Sequence, residues 1–418
     1  MEPLTTPLKS LCIGLLIFPA LAWSAPNAHE HEFLQRDEAL TVAKVFTAAL
    51  QHAPEAAATQ ARQQQADNYI NLGKSWLPGR NRLAINYLDD RTLDDIGARE
   101  LDAGLEFELW QRGARRESQK LGASYQQQTS AWQGYLQLLV AGRLRTSLAN
   151  IQQREVLLAQ AQRAQQDAQQ LKAMTDDLFK AGATPRDSVL QAQSLLIEHD
   201  KLLLRAEAML VDEERQYGNL TGLKQRPAQT VIESQSQLDA INASHPLLRF
   251  LQTSVDVAAI NISKAKQDAK GNPTMNIGMR RQRGDRFEDY NDSLAIGFSI
   301  PFGGAATVTA QVSDARVSKV DSDIAYQSAY RQLNQQLHEV EHELTLTKTA
   351  IKLSREQAQL NEQRWQMANK AFKAGETTMM QVVLALQQFR TASTEYELSQ
   401  LRQQRLMAEF NQTVGVLP

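Results

Sequence analysis

The stretch 178–184 (Leu-Phe-Lys-Ala-Gly-Ala-Thr) returns as 371–377 (Ala-Phe-Lys-Ala-Gly-Glu-Thr), which places Gly375 193 residues after Gly182. Three other landmarks recur at almost the same distance: Gly222 and Gly415 are 193 residues apart, Pro54 and Pro246 are 192 apart, and Gly113 and Gly304 are 191 apart. Similarity at a constant offset is the sequence signature of a repeated structural unit. The chain is therefore predicted to contain two tandem copies of one structural unit.

Alternating apolar and polar residues predict two strands in each unit. Every second residue from Leu101 to Leu109 is apolar, and the residues between them are Asp, Gly, Glu and Glu. This period of two is typical of a strand with one apolar face. The predicted strands span about 82–90 and 100–110 in the first unit, and about 273–281 and 293–302 in the second.

Alternation by itself does not distinguish a membrane barrel from a soluble antiparallel sheet. Strands of this length suit a tilted bilayer strand, which needs about 9–11 residues. Four strands are too few to close a lipid-facing barrel, since about eight is the usual minimum for one chain. A membrane barrel therefore requires several chains.

Long helices are predicted after each pair of strands. Residues 111–179 and 305–372 are rich in Gln, Ala, Leu, Glu, Lys and Arg, most of which are strong helix formers. A helix of about 65 residues extends about 100 Å, which is far longer than a compact domain needs. Such helices must pack against neighbours as coiled coils, in hairpins that reverse near Gly182 and Gly375.

The N-terminal segment has the features of a secretory signal. Lys9 precedes an apolar run at 11–23, which is followed by the small residues Ser24 and Ala25. The run is too short to span a bilayer. Residues 1–25 are therefore predicted to be a signal peptide, and the two units occupy 26–228 and 229–418.

Composition argues against several classes of protein. The chain has 45 basic and 47 acidic residues, so it lacks the concentrated positive charge that a nucleic-acid partner requires. Its one cysteine, Cys12, lies in the predicted signal peptide. A mature chain without cysteine has no disulfides, thiolate metal sites or cysteine nucleophiles. We expect no nucleic-acid partner and no cofactor.

Three features together resemble the TolC family of outer-membrane efflux ducts. They are the two Phe-Lys-Ala-Gly turns, Ala192 and Ala385 ten residues beyond the turn glycines, and the segment 300–304 (Ile-Pro-Phe-Gly-Gly) that leaves the last strand. The resemblance covers essentially all of the mature chain. It implies a mainly α fold with a β-barrel portion, in which a homotrimer builds one twelve-stranded transmembrane barrel continued by an α-helical periplasmic tunnel.

The resemblance also implies a location and partners. The barrel would lie in the outer-membrane lipid of a Gram-negative cell and the helices in the periplasm. A periplasmic adaptor (membrane fusion) protein and an inner-membrane pump, of the RND type, would act with it. The chain would be a passive export duct and not an enzyme.

Two segments are similar to the heavy-metal branch of that family, which exports cations such as cobalt, zinc, cadmium, copper or silver. They are 108–116 (Glu-Leu-Trp-Gln-Arg-Gly-Ala-Arg-Arg) and the turn 182–187 (Gly-Ala-Thr-Pro-Arg-Asp). Heavy-metal cations are therefore the expected substrate. A duct for drugs or for type I protein secretion is an alternative, and a soluble periplasmic coiled-coil scaffold is an alternative of another class.

The two helix reversals are the candidate docking site. A glycine followed by small or polar residues predicts a turn between helices, and the resemblance implies that the adaptor docks there end-on. The predicted docking residues are Ala181, Gly182, Ala183 and Thr184 in the first tip, and Ala374, Gly375, Glu376 and Thr377 in the second tip.

Two further sets of residues are candidates for the conduction path. Some relatives close their tunnel with aspartate rings one turn beyond the second tip, where this chain has Gln381 and Leu384. The candidate gate here is the set Met379, Met380, Gln381 and Leu384, although ordinary coiled-coil packing explains the apolar members equally well. Glu106 and Glu108 alternate with the apolar residues of their strand. They are predicted to face a barrel lumen, where carboxylates favour cations or simply solvate a polar wall.

Histidine patterns give weak candidates for metal binding. His29 and His31 alternate with glutamates near the mature N-terminus, a pattern that binds metal or belongs to an incidental tail. His338 and His342 match the His-Glu-x-x-His pattern of zinc proteases. A zinc protease also needs a third ligand and a cleft, which a Gln-rich helix without a neighbouring loop does not supply. An incidental surface pair is the better interpretation.

Overall fold

The computed structural model of the chain describes residues 33–228 and 232–418. The predicted signal peptide and the pair His29 and His31 lie outside the described residues.

The elements follow the predicted order of strands and long helices. Those before residue 229 are β1 (Gln35–Asp37), α1 (Val42–His52), α2 (Ala56–Lys74), β2 (Arg82–Asp89), β3 (Arg99–Glu108), α3 (Ala114–Lys180), α4 (Arg186–Thr221) and β4 (Gln225–Pro227). Those after it are α5 (Pro246–Asp268), β5 (Thr274–Arg283), β6 (Asn291–Ser299), α6 (Ala305–Lys373) and α7 (Met379–Thr413). Helices α3 and α6 contain 67 and 69 residues, so each extends about 100 Å.

Strands β2, β3, β5 and β6 form one antiparallel sheet in that order. The strands of the two units meet where β3 pairs with β5, with Ala103 opposite Met279. Strands β2 and β6 are the edges, and each has one partner strand in the part of the chain that the structure describes. A row of backbone donors and acceptors is therefore left open on either side.

Strand β6 begins and ends earlier than predicted. It ends at Ser299 instead of about residue 302, because Pro301 has no N–H to donate to a strand ladder. Gly303 and Gly304 follow with φ of 86° and 72°, a conformation that glycine adopts without steric cost. These two residues turn the chain from the sheet into α6.

The sheet has one apolar face and one polar face. Residues paired across the ladder share a face, so Leu83, Leu105, Ile277 and Ile296 form one row on the apolar face. The large side chains of this face are 39–69% exposed: Leu83, Ile85, Tyr87, Leu101, Leu105, Ile277, Met279, Leu294, Ile296 and Phe298. No second layer formed by the described residues covers them.

The middle of the polar face is lined by very small residues. Ala84, Gly104, Gly278 and Ala295 form one row across all four strands. A Cβ added to Gly278 would lie 2.7 Å from the carbonyl oxygen of Ala103. This is too close for a Cβ atom, so the position suits only glycine. At this level the polar face carries nothing larger than a methyl group.

The helices form a continuous layer below the sheet. Near the sheet, α2 packs on α3, α3 on α5 and α5 on α6; farther away, α4 packs on α3, α3 on α7 and α7 on α6. Helices α3 and α6 run through both levels. No helix within the described ranges combines the length and the apolar composition needed to cross a bilayer.

The first unit contains an extra helix and two short strands that the repeat did not predict. It opens with two helices, because Ala53 and Pro54 interrupt the chain between α1 and α2. In the second unit, the described residues before the strands form one helix, α5, which begins at Pro246. A three-residue parallel pair, β1 with β4, joins the N-terminal segment to the end of α4. Strands this short give no readable alternation.

Candidate functional site

The two helix reversals have the same backbone geometry. Gly182 and Gly375 adopt φ of 75° and 77°, the left-handed conformation that ends a helix. In the first tip the N–H of Ala183 donates to the carbonyl of Leu178 at 2.8 Å, and in the second the N–H of Glu376 donates to that of Ala371 at 2.9 Å. Six of the eight predicted docking residues are exposed, and the two threonines are half-buried. The tips thus present small residues to solvent.

The two tips lie at the same depth below the sheet. Asp167 of α3 and Arg390 of α7 form an ion pair, and each is 15 residues from its own tip glycine. Arg145 donates to Gln412 at 2.7 Å, and each of these is 37 residues from its tip glycine. Two contacts at equal distances along α3 and α7 keep Gly182 and Gly375 level.

Met379, one of the four candidate gate residues, is buried within its own chain. Its side chain is 2% exposed, in a core that includes Leu171, Phe372 and Val382. The pairing of α7 with α3 points it inward, as expected from the coiled-coil packing that is the alternative to a gate at this residue. Met380, Gln381 and Leu384 are exposed on the same helix and stay as the candidate gate.

The residues below the tips are not symmetric between the two units. Phe372 is 4% exposed, whereas its counterpart Phe179 is 44% exposed. Phe372 packs in the core between α3, α4 and α7. The first tip therefore displays an aromatic side chain that the second tip buries.

The polar face of the sheet pairs its carboxylates with nearby donors. Glu106 lies 3.5 Å from Arg82, and Glu108 accepts a hydrogen bond of 2.8 Å from the side chain of Asn272. Arg280 lies 2.8 Å from Asp102 and 3.0 Å from Glu100. The sequence reasoning found the two glutamates but missed the arginines, because the partners are assigned by strand register, which alternation does not give.

A buried charge network anchors the N-terminal segment to the helices. Arg226 donates to Glu214 of α4 and to Glu155 of α3, each at 2.7 Å. The other oxygen of Glu214 accepts the backbone N–H of Leu34 at 2.8 Å. Next to this network, burial raises the pKa of Tyr217 to about 12, and its hydroxyl donates to the carbonyl of Gln225 at 3.2 Å. No sequence motif indicated this cluster.

An arginine in an aromatic cluster links the two units. The guanidinium of Arg62 lies 4.6 Å from the ring centre of Trp132 and 5.3 Å from that of Phe250, in cation–π geometry. Burial lowers the pKa of Arg62. Since Arg62, Trp132 and Phe250 come from α2, α3 and α5, the cluster joins three helices.

The zinc-protease pattern has no metal site around it. His338 and His342 are both exposed on α6. In residues 33–228 and 232–418, no three His, Cys, Asp or Glu side chains are grouped so as to hold a metal ion. The pair lacks the third ligand that such a site requires.

No protein-family model matches this sequence, and no curated protein matches it in sequence. Solved structures match it in fold. The outer membrane protein VceC of Vibrio cholerae matches with a TM-score of 0.71 at 15% identity, over 89% of this chain and 95% of VceC. The chain has the fold of an outer-membrane channel.

Two other channels show the same likeness. CusC, described in connection with transmembrane channel formation, matches with a TM-score of 0.73 at 14% identity, over 94% of this chain and 96% of CusC. The CmeC outer membrane channel of Campylobacter jejuni gives 0.72 at 13% identity, over 99% and 94%. These channels are of the TolC type, and the mainly helical chain with one small sheet shares their fold.

The loops of the sheet and the helix tips lie at opposite ends of the fold. The loops that join β2 to β3 and β5 to β6 lie at the end of the sheet away from the helices. The two tips lie at the opposite end of the molecule.

Proposed function

We propose that this chain is the outer-membrane channel of a tripartite efflux system, a passive duct through the outer membrane and the periplasm. The observation that carries the proposal is the exposed apolar face of the four-stranded sheet. A soluble protein covers such a face with another layer of structure. In a bilayer, lipid covers such an apolar face directly, provided that the opposite face meets water. The opposite face of this sheet is polar and suits that arrangement.

The open edges of the sheet support a homotrimer. Backbone groups without partners are costly in lipid, so a membrane sheet must close on itself. Strands β2 and β6 are free to pair with those of other copies. Three chains of four strands give twelve strands, which exceeds the minimum of about eight for a barrel. The polar face then lines the lumen, and Glu106 lies within it beside Arg82.

The tips are the proposed docking site for a periplasmic adaptor, with an RND-type inner-membrane pump as the source of energy. Small exposed residues at both tips let a helical hairpin approach the backbone closely. Because the two tips of one chain have equal depth, all six tips of a trimer would lie in one plane. Such a plane suits an end-on contact.

Heavy-metal cations are the proposed substrate, on the strength of segments 108–116 and 182–187. Drug or protein export is the alternative within the same class. The carboxylates of the polar face do not favour one substrate class over another, because each lies beside an arginine or an amide. A soluble periplasmic scaffold is disfavoured by the exposed apolar face.

Enlarging both tips is expected to abolish export without disturbing the channel. Ala181 and Ala374 have φ of −78° and −82°, so Ala181→Leu and Ala374→Leu add bulk without backbone strain. A strain that depends on the double variant should lose its resistance to zinc, cobalt and cadmium and should fail to co-purify the adaptor. Ala39→Leu, at an exposed turn before α1, is the matched control and should behave as the parent.

Wild-type resistance and adaptor capture in the double variant would refute docking at the tips. Loss of drug resistance with unchanged metal resistance would favour the drug-export alternative. The variant particle must keep its parent mass, which separates a docking defect from an assembly defect.

A further inference from the structure

Three arginines lie on the apolar face of the sheet, at its loop end. Arg281 and Arg283 occupy alternate positions of β5 and share their face with Ile277. Arg99 of β3 pairs in register with Arg283, so it lies on the same face. In the four strands this face carries no other arginine. Arg99, Arg281 and Arg283 thus form a basic patch at one end of the apolar surface.

The basic patch places like charges side by side. Arg99 and Arg283 are directly opposite each other in an antiparallel ladder, where side chains begin about 5 Å apart and like charges are destabilising. Among the described residues Arg283 forms no ion pair, and its Nε donates to the carbonyl of Gly97 at 3.1 Å. Such an arrangement is favourable only when an anion binds between the two guanidinium groups.

The carboxylates near the basic patch neutralise it only in part. Asp89 lies 3.6 Å from Arg99 and 2.8 Å from Arg91, so one carboxylate is shared between two arginines. Asp292 lies 3.7 Å from Arg281, and both side chains are 58% exposed. An ion pair with that exposure contributes little. Positive charge is therefore left over on the patch.

Aromatic residues accompany the basic patch. The ring centre of Tyr290 lies 4.8 Å from the guanidinium carbon of Arg281 and 4.9 Å from that of Arg283, in cation–π geometry. Tyr87 is exposed on the same face of β2. In membrane barrels, aromatic residues of this kind mark the level of the lipid headgroups.

The spacing along β5 places the basic patch at that level. Arg281 and Arg283 lie four and six residues beyond Ile277, which is about 13 and 20 Å along a strand. With a strand tilt of about 40°, these lengths become about 10 and 15 Å along the bilayer normal. The apolar band of a membrane barrel is about 25 Å tall, so its edge lies about 12 Å from a residue at its middle. The arginines therefore lie at the edge of the band.

We propose that the basic patch binds the phosphate groups of lipid A, the phosphorylated glycolipid of the outer leaflet. The proposal rests on the proposed function, in which the helices lie in the periplasm and the loop end of the sheet lies in the outer leaflet. A guanidinium group binds a phosphate through two parallel hydrogen bonds. The acyl chains of the same lipid cover the apolar side chains beside the patch, such as Leu101 and Met279.

Lipid binding to the purified, detergent-solubilised particle tests the proposal, with bound lipids counted by native mass spectrometry. The probes are bisphosphorylated lipid A, the same lipid without its phosphates, and phosphatidylglycerol. The parent should bind bisphosphorylated lipid A most tightly. In Arg281→Gln with Arg283→Gln this affinity should fall by about tenfold or more, because charge-assisted hydrogen bonds to phosphate are lost.

Arg82→Gln with Arg280→Gln is the matched control. It removes the same charge from the polar face of the same sheet, where both arginines lie beside carboxylates. Lipid binding by this variant should equal that of the parent. Equal affinity of the patch variant and the parent would overturn the proposal, as would an equal loss in the control or equal binding of all three lipids. Displacement of lipid A by millimolar inorganic phosphate would overturn it too, since the site would then suit free phosphate.

The particle mass separates this proposal from the proposed function. A trimer that needs detergent but binds lipid without regard to its phosphates contradicts the role of the basic patch and leaves the channel standing. A monomer that is soluble without detergent contradicts both. The patch variant must keep the parent mass, so that weaker lipid binding is not a defect of assembly.

Discussion

An Ile277→Arg variant is expected to disappear from the outer membrane. Ile277 lies in the middle of β5 on the apolar face, in one row with Leu105 and Ile296. An arginine on the lipid face of a barrel at the bilayer midplane costs about 2–4 kcal/mol. A trimer would bear that cost three times. The fraction of protein in washed outer-membrane pellets, measured by immunoblot, should fall to near background.

Asn276→Arg is the matched control for this experiment. Asn276 is the preceding residue on the same strand, exposed on the polar face and paired in register with Glu106. A new arginine there meets water and a carboxylate, so membrane insertion should match the parent. Equal insertion of the two variants would contradict the assignment of the faces.

An Arg226→Ala variant is expected to lose about 3–5 kcal/mol of stability, because it leaves a buried carboxylate without its cation. Glu214 is 2% exposed and depends on Arg226 and on the Leu34 N–H for its hydrogen bonds. The effect should appear as a lower midpoint in denaturant unfolding of the purified particle, followed by far-UV circular dichroism.

Two comparisons make this result specific. Lys180→Ala removes a surface pair, in which Lys180 lies 3.3 Å from Asp177; exposed pairs contribute about 0–1 kcal/mol, so the midpoint should barely move. Adding Glu214→Gln to Arg226→Ala removes the stranded charge and should restore part of the loss. Equal midpoints for Arg226→Ala and the parent would show that the network does not stabilise the fold.

The strands and long helices could be predicted from the sequence because their residue patterns are periodic. Alternation with a period of two across 101–109 predicts a strand and does not fit the period of a helix. The strong helix formers between Gly142 and Gly182, without an intervening glycine or proline, predict one long helix. The tips were found because glycine is the residue that the left-handed conformation favours. These signals are local, so a single chain reveals them.

What the sequence did not show depends on which elements become neighbours. The pairing of Glu106 with Arg82 follows from strand register, and the burial of Met379 follows from the packing of α7 on α3.

The mass of the particle extracted by detergent from outer-membrane fractions tests the central claim most directly. It is measured by light scattering corrected for bound detergent. The account predicts that extraction needs detergent and that the protein mass equals three chains. A monomer released from the periplasm without detergent would contradict it.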